Sequence, residues 1–174
     1  TVHHRYDTPL GAVMKGAMAG LAGTVVMTYA MKTVPTLMQS TQAKGTRPAR
    51  RQSDGESLEP PAQLARKVGS EVLEQPVDAE QAKEIGQGIH WAYGMSWGVL
   101  FGIIQGTLWL SPLKFGVLLG TLVWAVGPNW LVPLMKIGPE PSKQPTEQTV
   151  MSWAFHALFG VVTALSFSAM EGEI

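Results

Sequence analysis

The 174-residue chain has no cysteine. Disulfides, iron–sulfur clusters and thiolate catalysis are therefore excluded. Its formal net charge is zero, so it has no basic excess with which to hold a nucleic acid. It has no phosphate-cradling glycine loop, no serine–histidine–acid set and no metalloprotease motif. No catalytic residue emerges, and a non-enzymatic role is the expectation. The first residues, Thr1 to Leu10, lack the basic start and apolar run of a signal peptide.

Charge is missing from long stretches rather than from the whole chain. No Asp, Glu, Lys or Arg occurs from Ile85 to Leu113, from Phe115 to Met135, or from Gln148 to Met170. A further apolar stretch, Leu10 to Val34, is interrupted by Lys15 and carries Lys32 near its end. A helix rises about 1.5 Å per residue, so about 20 residues cross a hydrocarbon core of about 30 Å. All four stretches reach that length, the first with Lys15 snorkelling to the headgroups. None alternates as a barrel strand does, and backbone in lipid must bond within its own segment. The expected fold is an all-α membrane protein with four transmembrane helices in one domain, 1–174.

A polar segment, Lys32 to Glu84, divides the first span from the second and holds eight Lys/Arg and eight Asp/Glu. Gln39 to Pro61 reads as loop, and 39–77 as a polar cytoplasmic segment containing a short amphipathic helix. Pro60-Pro61 suits a helix start, and Leu64, Val68 and Val72 recur at four-residue steps. Asp78 followed by Gln81 is a capping-box spacing for the next helix. Pro35 is expected to limit the first helix, Gly127-Pro128 and Pro133 to kink or end the third, and Thr146 to cap the fourth.

Ten of the thirteen Lys/Arg lie in the long segment and in the Lys136–Glu147 loop. The positive-inside rule places both loops in the cytoplasm and both termini outside. Trp91, Trp109, Trp130 and Trp153 fall near span ends, as in an interfacial belt, and Trp97 and Trp124 fall mid-span. Lys44, Arg47, Arg50 and Arg51 are positioned to meet anionic lipid or an acidic partner. Asp54, Glu56 and Glu59 nearby also fit a plain solvated loop.

Small residues recur every four positions: Ala12, Gly16, Gly20 and Thr24; Gly86, His90, Gly94, Gly98, Gly102 and Gly106; Ser152, His156, Gly160, Ala164 and Ser168. In lipid, helix association depends on close backbone approach, and such rows form the groove for it. The second row turns about 200° over five steps, more than one neighbour covers. The second span is therefore expected at the centre of the bundle. A surplus of such surface also points to docking of other membrane subunits.

Two pieces of the chain look alike. Val34-Pro35-Thr36-Leu37-Met38 closes the first span and Val132-Pro133-Leu134-Met135 the third. His90-Trp91-Ala92-Tyr93-Gly94 and His156-Ala157-Leu158-Phe159-Gly160 open the second and fourth. The reading is two duplicated helix hairpins, a parallel repeat about an axis along the membrane normal.

His90 and His156 are the only ionisable groups deep in the apolar spans besides Lys15. A polar group there is costly unless it is used. They can ligate a haem or a chlorophyll-type pigment, with Gly94 and Gly160 leaving room for the macrocycle. As a metal site they lack a carboxylate or thiolate partner within the spans, and as a proton relay they lack a spanning acid. They can also simply bond a neighbouring helix or the headgroup region.

The stretch Gly16-Ala17-Met18-Ala19-Gly20-Leu21-Ala22-Gly23-Thr24, the Glu59-Pro60-Pro61 before a basic amphipathic helix, and the repeated His-x-x-x-Gly with an aromatic before the glycine together resemble the YagU-like inner-membrane proteins. That is a bacterial family of unknown function, and the resemblance covers most of the chain. It implies a multi-span bacterial inner-membrane protein and no activity. Three roles remain open: an accessory or scaffold subunit of a larger respiratory or photosynthetic membrane complex, a haem- or pigment-binding protein, and a small transporter or channel.

Overall fold

The computed structural model describes residues 8–42, 58–71, 74, 76–108, 111–137 and 144–172, with only the helical path given for 35–42. The described chain is all-helical. Its elements are α1 (Pro9–Gln42), α2 (Pro60–Glu71), α3 (Ala79–Leu108), α4 (Pro112–Val126), a π-helical turn (Gly127–Leu131), α5 (Val132–Leu134) and α6 (Thr146–Glu171). Three stretches are long and apolar enough to cross a membrane: Pro9–Val34, Pro112–Leu134 and Thr146–Glu171. α3 has the length, at 30 residues, and no charge from Ile85 onward. Its glycines, His90, Ser96 and Gln105 dilute its apolar character.

Local chemistry sets most of the helix starts. Thr8 caps α1, its Oγ1 accepting the Gly11 N–H at 3.1 Å, and Pro9 stands where a missing N–H costs nothing. Asp78 and Gln81 form the expected capping box: the Gln81 N–H donates to Asp78 Oδ1 at 2.8 Å, and the Asp78 N–H to Gln81 Oε1 at 3.4 Å. Pro60 opens α2, as its position predicts, and Pro112 opens α4. α6 begins differently from expectation. Pro145 occupies the cap position and Thr146 is already helical, because Pro145 is extended and accepts the Thr149 N–H.

Pro35 does not end α1, which continues to Gln42. The apolar part of the helix stops at Val34. The carbonyl that Pro35 leaves without its N–H partner is that of Met31, in the last turn of this stretch and not in its middle. Pro128 does disturb α4. It cannot donate to the Trp124 carbonyl, and the Asn129 side chain does so instead, Nδ2 to O at 2.9 Å. The helix widens into the π-helical turn, with the Val132 N–H bonded to the Gly127 carbonyl. α5 then ends in a Schellman motif. Lys136 has φ 55°, its N–H bonds the Pro133 carbonyl at 3.0 Å, and the Ile137 N–H bonds the Val132 carbonyl at 3.2 Å.

α1 and α6 occupy the middle of the bundle, with α3 against the outer side of α1 and α4 against the outer side of α6. This corrects the central position expected of α3. That helix does take two main partners, but they are α1 and α2. The core residues Phe101, Leu119, Phe159 and Phe167 fill the interior. At one end Lys15 of α1 is ion-paired with Glu171 of α6. Lys15 is thus neutralised by a partner from another helix, where solitary snorkelling was expected. At the opposite end α2 lies across the bundle.

The face α2 buries also differs from expectation. Ala62, Ala65 and Gly69 are buried against the bundle, Leu64 is half-buried and Val68 is exposed. Val72 lies outside the described residues. The small residues win because α2 approaches α3 closely at Gly86, where a Cβ would stand 2.5 Å from the Ala62 backbone nitrogen. A leucine or valine on that face would hold the helices apart.

Candidate functional site

The four-residue rows are contact lines between helices. On α1 and α3, a Cβ at Gly98 would lie 2.5 Å from Gly20 Cα, and one at Gly16 would lie 2.5 Å from the Gly98 carbonyl oxygen. Gly102 faces Ala12 and Gly16, and Gly94 faces Thr24. On α4 and α6, Gly160 meets the backbone of Gly116 and Gly120, and Ala164 lies against Gly116. Side chains larger than hydrogen would separate these helices, and with them most of the dispersion contact that holds helices together in lipid. Gly106 is exposed and meets only the Ala12 side chain, at an ordinary 3.5 Å, so the row loosens at its end.

Three contact residues went unread in the sequence. Gly116 and Gly120 continue the pattern on α4, and their four-residue spacing was a usable signal. Gly23 is the joint between α1 and α6, where a Cβ would stand 2.8 Å from the Phe159 carbonyl oxygen. It lies off the Gly16–Gly20 row, and nothing local marks it.

His90 and His156 lie on α3 and α6, both partly buried, and near enough that the charge of one acts on the other. His156 is oriented by its own helix, with Nδ1 2.7 Å from the Ser152 carbonyl oxygen. A carbonyl can only accept, so Nδ1 carries the proton and Nε2 is left as the lone-pair atom. Glu59, at the start of α2, is the nearest carboxylate to act on His90. Among the described residues, no group of three or more His, Asp or Glu is arranged to hold a metal ion. The space expected above Gly94 and Gly160 for a macrocycle is occupied. Thr24 and Phe159 stand over Gly94, and the backbone of α4 stands over Gly160.

Between α3 and α4 the contact is of another kind. Phe101 stacks on Phe115 with centroids 4.9 Å apart and planes at 17°, and Phe167 of α6 meets Phe101 edge-on at 5.6 Å. Nearer α2, Trp97 meets Tyr93 edge-on at 6.0 Å. The Tyr93 hydroxyl reaches Gly127, where a Cβ would be 3.2 Å away. Lys67 of α2 donates to the Met135 carbonyl at 2.9 Å. Thr28 Oγ1 and Trp91 Nε1 are buried without a hydrogen-bond partner among the described residues.

Outward faces are mostly apolar. Leu10, Met14 and Met18 on α1, Leu118 and Leu122 on α4, and Leu165 on α6 are exposed, as is Trp130 in the π-helical turn. α3 is different. Gly88, Ala92 and Ser96, a second four-residue row, are exposed along it, and no atom lies within 4 Å of a Cβ at Gly88. Lys44, Arg47, Arg50 and Arg51, expected to contact lipid or a partner, and Trp109 lie outside the described residues. The chain matches no known family model, no curated protein and no solved structure.

Proposed function

We propose that this chain is a non-enzymatic accessory subunit of a bacterial inner-membrane complex, with α3 as a fourth span and as the helix that docks the partner. The observation that carries this reading is the exposed row Gly88, Ala92 and Ser96 on α3, the long helix that is not among the three stretches apolar enough to cross a membrane. Bare in lipid, such a face offers little apolar surface; against another helix it offers close backbone approach. The partner is then a transmembrane helix of another subunit, in a respiratory or photosynthetic assembly. Duplicated hairpins fit the packing: Gly20 meets Gly94 and Gly98, and Gly116 meets Gly160 and Ala164, the matching positions of the two histidine-led helices. Placement of both loops on one side draws support from Lys67 and Met135, which join the two loop regions at one end of the bundle; the assignment of that side to the cytoplasm rests on its Lys/Arg content.

The test is a photo-crosslinker at Ala92 in the intact cell, followed by purification in mild detergent. A single crosslinked membrane subunit, lost in Gly88→Leu while the chain itself stays folded, is the expected result. A monodisperse monomer with lipid as the only adduct would sink the reading.

A second reading, haem or chlorophyll-type pigment binding, rests on the lone-pair Nε2 of His156 and the influence of His90 on it, with the macrocycle on a side other than the filled faces of Gly94 and Gly160. It predicts a visible absorption band from the isolated chain that disappears in His90→Ala or His156→Ala. A colourless chain excludes it.

A further inference from the structure

α3 and α4 are two arms with little direct contact. At one end the chain joins them, with only residues 109–111 between Leu108 and Pro112. Near that end the Phe101–Phe115 stack lies between them. Toward the other end they meet through the Tyr93 hydroxyl over Gly127, with Trp97 edge-on to Tyr93 on α3 itself. No pair of small residues brings their backbones together there, as happens between α1 and α3 and between α4 and α6.

α2 lies across that second end and touches both arms. On α3 its grip is the close approach of Pro61 and Ala62 to Gly86. On the other arm it is the bond from Lys67 to the Met135 carbonyl. That carbonyl is well chosen. The Schellman motif uses the Val132 and Pro133 carbonyls internally, and the Met135 carbonyl lies beyond them at the negative end of the helix dipole, where a cation is favoured. The arm it belongs to contains the π-helical turn, a place where helices commonly bend.

We propose that α2 is a latch across the α3–α4 seam, and that its release lets the two arms part at the end α2 crosses while the short 109–111 connection holds them at the other. The α1–α6 joint at Gly23 stays closed during that motion. Opening would expose the Tyr93–Trp97 wall and the face of α4 around Gly127, and it would do so without unfolding either hairpin.

The absence of native cysteine makes a direct test possible, because every introduced thiol is the sole one. Val123→Cys places a near-isosteric probe one turn before Gly127, at a position only 4% exposed. Thr163→Cys places one at the α1–α6 joint, fully buried. Maleimide labelling of each is timed in folded, detergent-solubilised protein, with and without Lys67→Met. The expected result is labelling about tenfold faster at 123, from the loss of one charge-assisted hydrogen bond, and no change at 163. Gly86→Leu, which pushes α2 off α3, should give the same pattern, and Lys67→Arg should keep the slow rate. Unchanged labelling at 123 in both Lys67→Met and Gly86→Leu would overturn the latch. So would equal acceleration at 123 and 163, which would mean general loosening.

Discussion

The two glycine crossings and the aromatic seam solve one problem in opposite ways. Between α1 and α3, and between α4 and α6, side chains are removed until the backbones touch. Between α3 and α4, side chains are enlarged until they fill a gap. Backbone contact tolerates no addition and fixes a single spacing. Ring contact tolerates small displacements, because an aromatic face can slide while staying in van der Waals range. On the latch proposal, the α1–α3 and α4–α6 pairs are the rigid units, joined at Gly23, and the seam is where they part.

Substitutions can break that contrast. Phe101→Ala removes the ring that meets both Phe115 and Phe167, and should cost about 3–5 kcal/mol in detergent unfolding. A loss below that range would mean that the seam collapses around the cavity, a sign of still greater pliancy. Gly98→Leu should cost about 1–3 kcal/mol through forced separation of α1 and α3. The same change at exposed Gly106 should be near neutral, and equal losses at both positions would erase the distinction between crossing and row end. Lys15→Met removes the ion pair with Glu171 and should cost about 1–2 kcal/mol, with Glu171→Gln restoring part of it in the double variant. The pair ties the two central helices, so its loss should leave exchange protection across the seam unchanged. Asp78→Ala should cost about 1 kcal/mol and fray only the start of α3, visible as faster amide exchange at Gln81.

What could be read from the sequence was what depends on near neighbours. Asp78 and Gln81 are three residues apart, and Pro60 and Pro112 act on their own helical turn, so these boundaries were legible. Pro35 was misread because its effect depends on where it lies relative to the apolar stretch. The buried face of α2 was misread because apolar size was taken as the signal, whereas close approach to Gly86 selects Ala62, Ala65 and Gly69. Lys15 finds Glu171 across 156 residues of sequence, and Lys67 finds Met135 across 68. Neither pairing leaves a local trace. The histidines were placed at similar depth by their repeated surroundings, but the glycines beside them turned out to serve helix contact.

The π-helical turn has a consequence for register. Such a turn is in effect one residue inserted into an α-helix. Everything after Leu131 is therefore advanced about 100° around the axis relative to an unbroken helix. The Met135 carbonyl faces Lys67 in that advanced phase. Removing Pro128 would let α4 run on as a regular helix, with Asn129 released from the Trp124 carbonyl, and would swing the acceptor round to another side. The proline in the span thus acts as a phase setter, deciding which direction the end of α5 presents to the segment that crosses it.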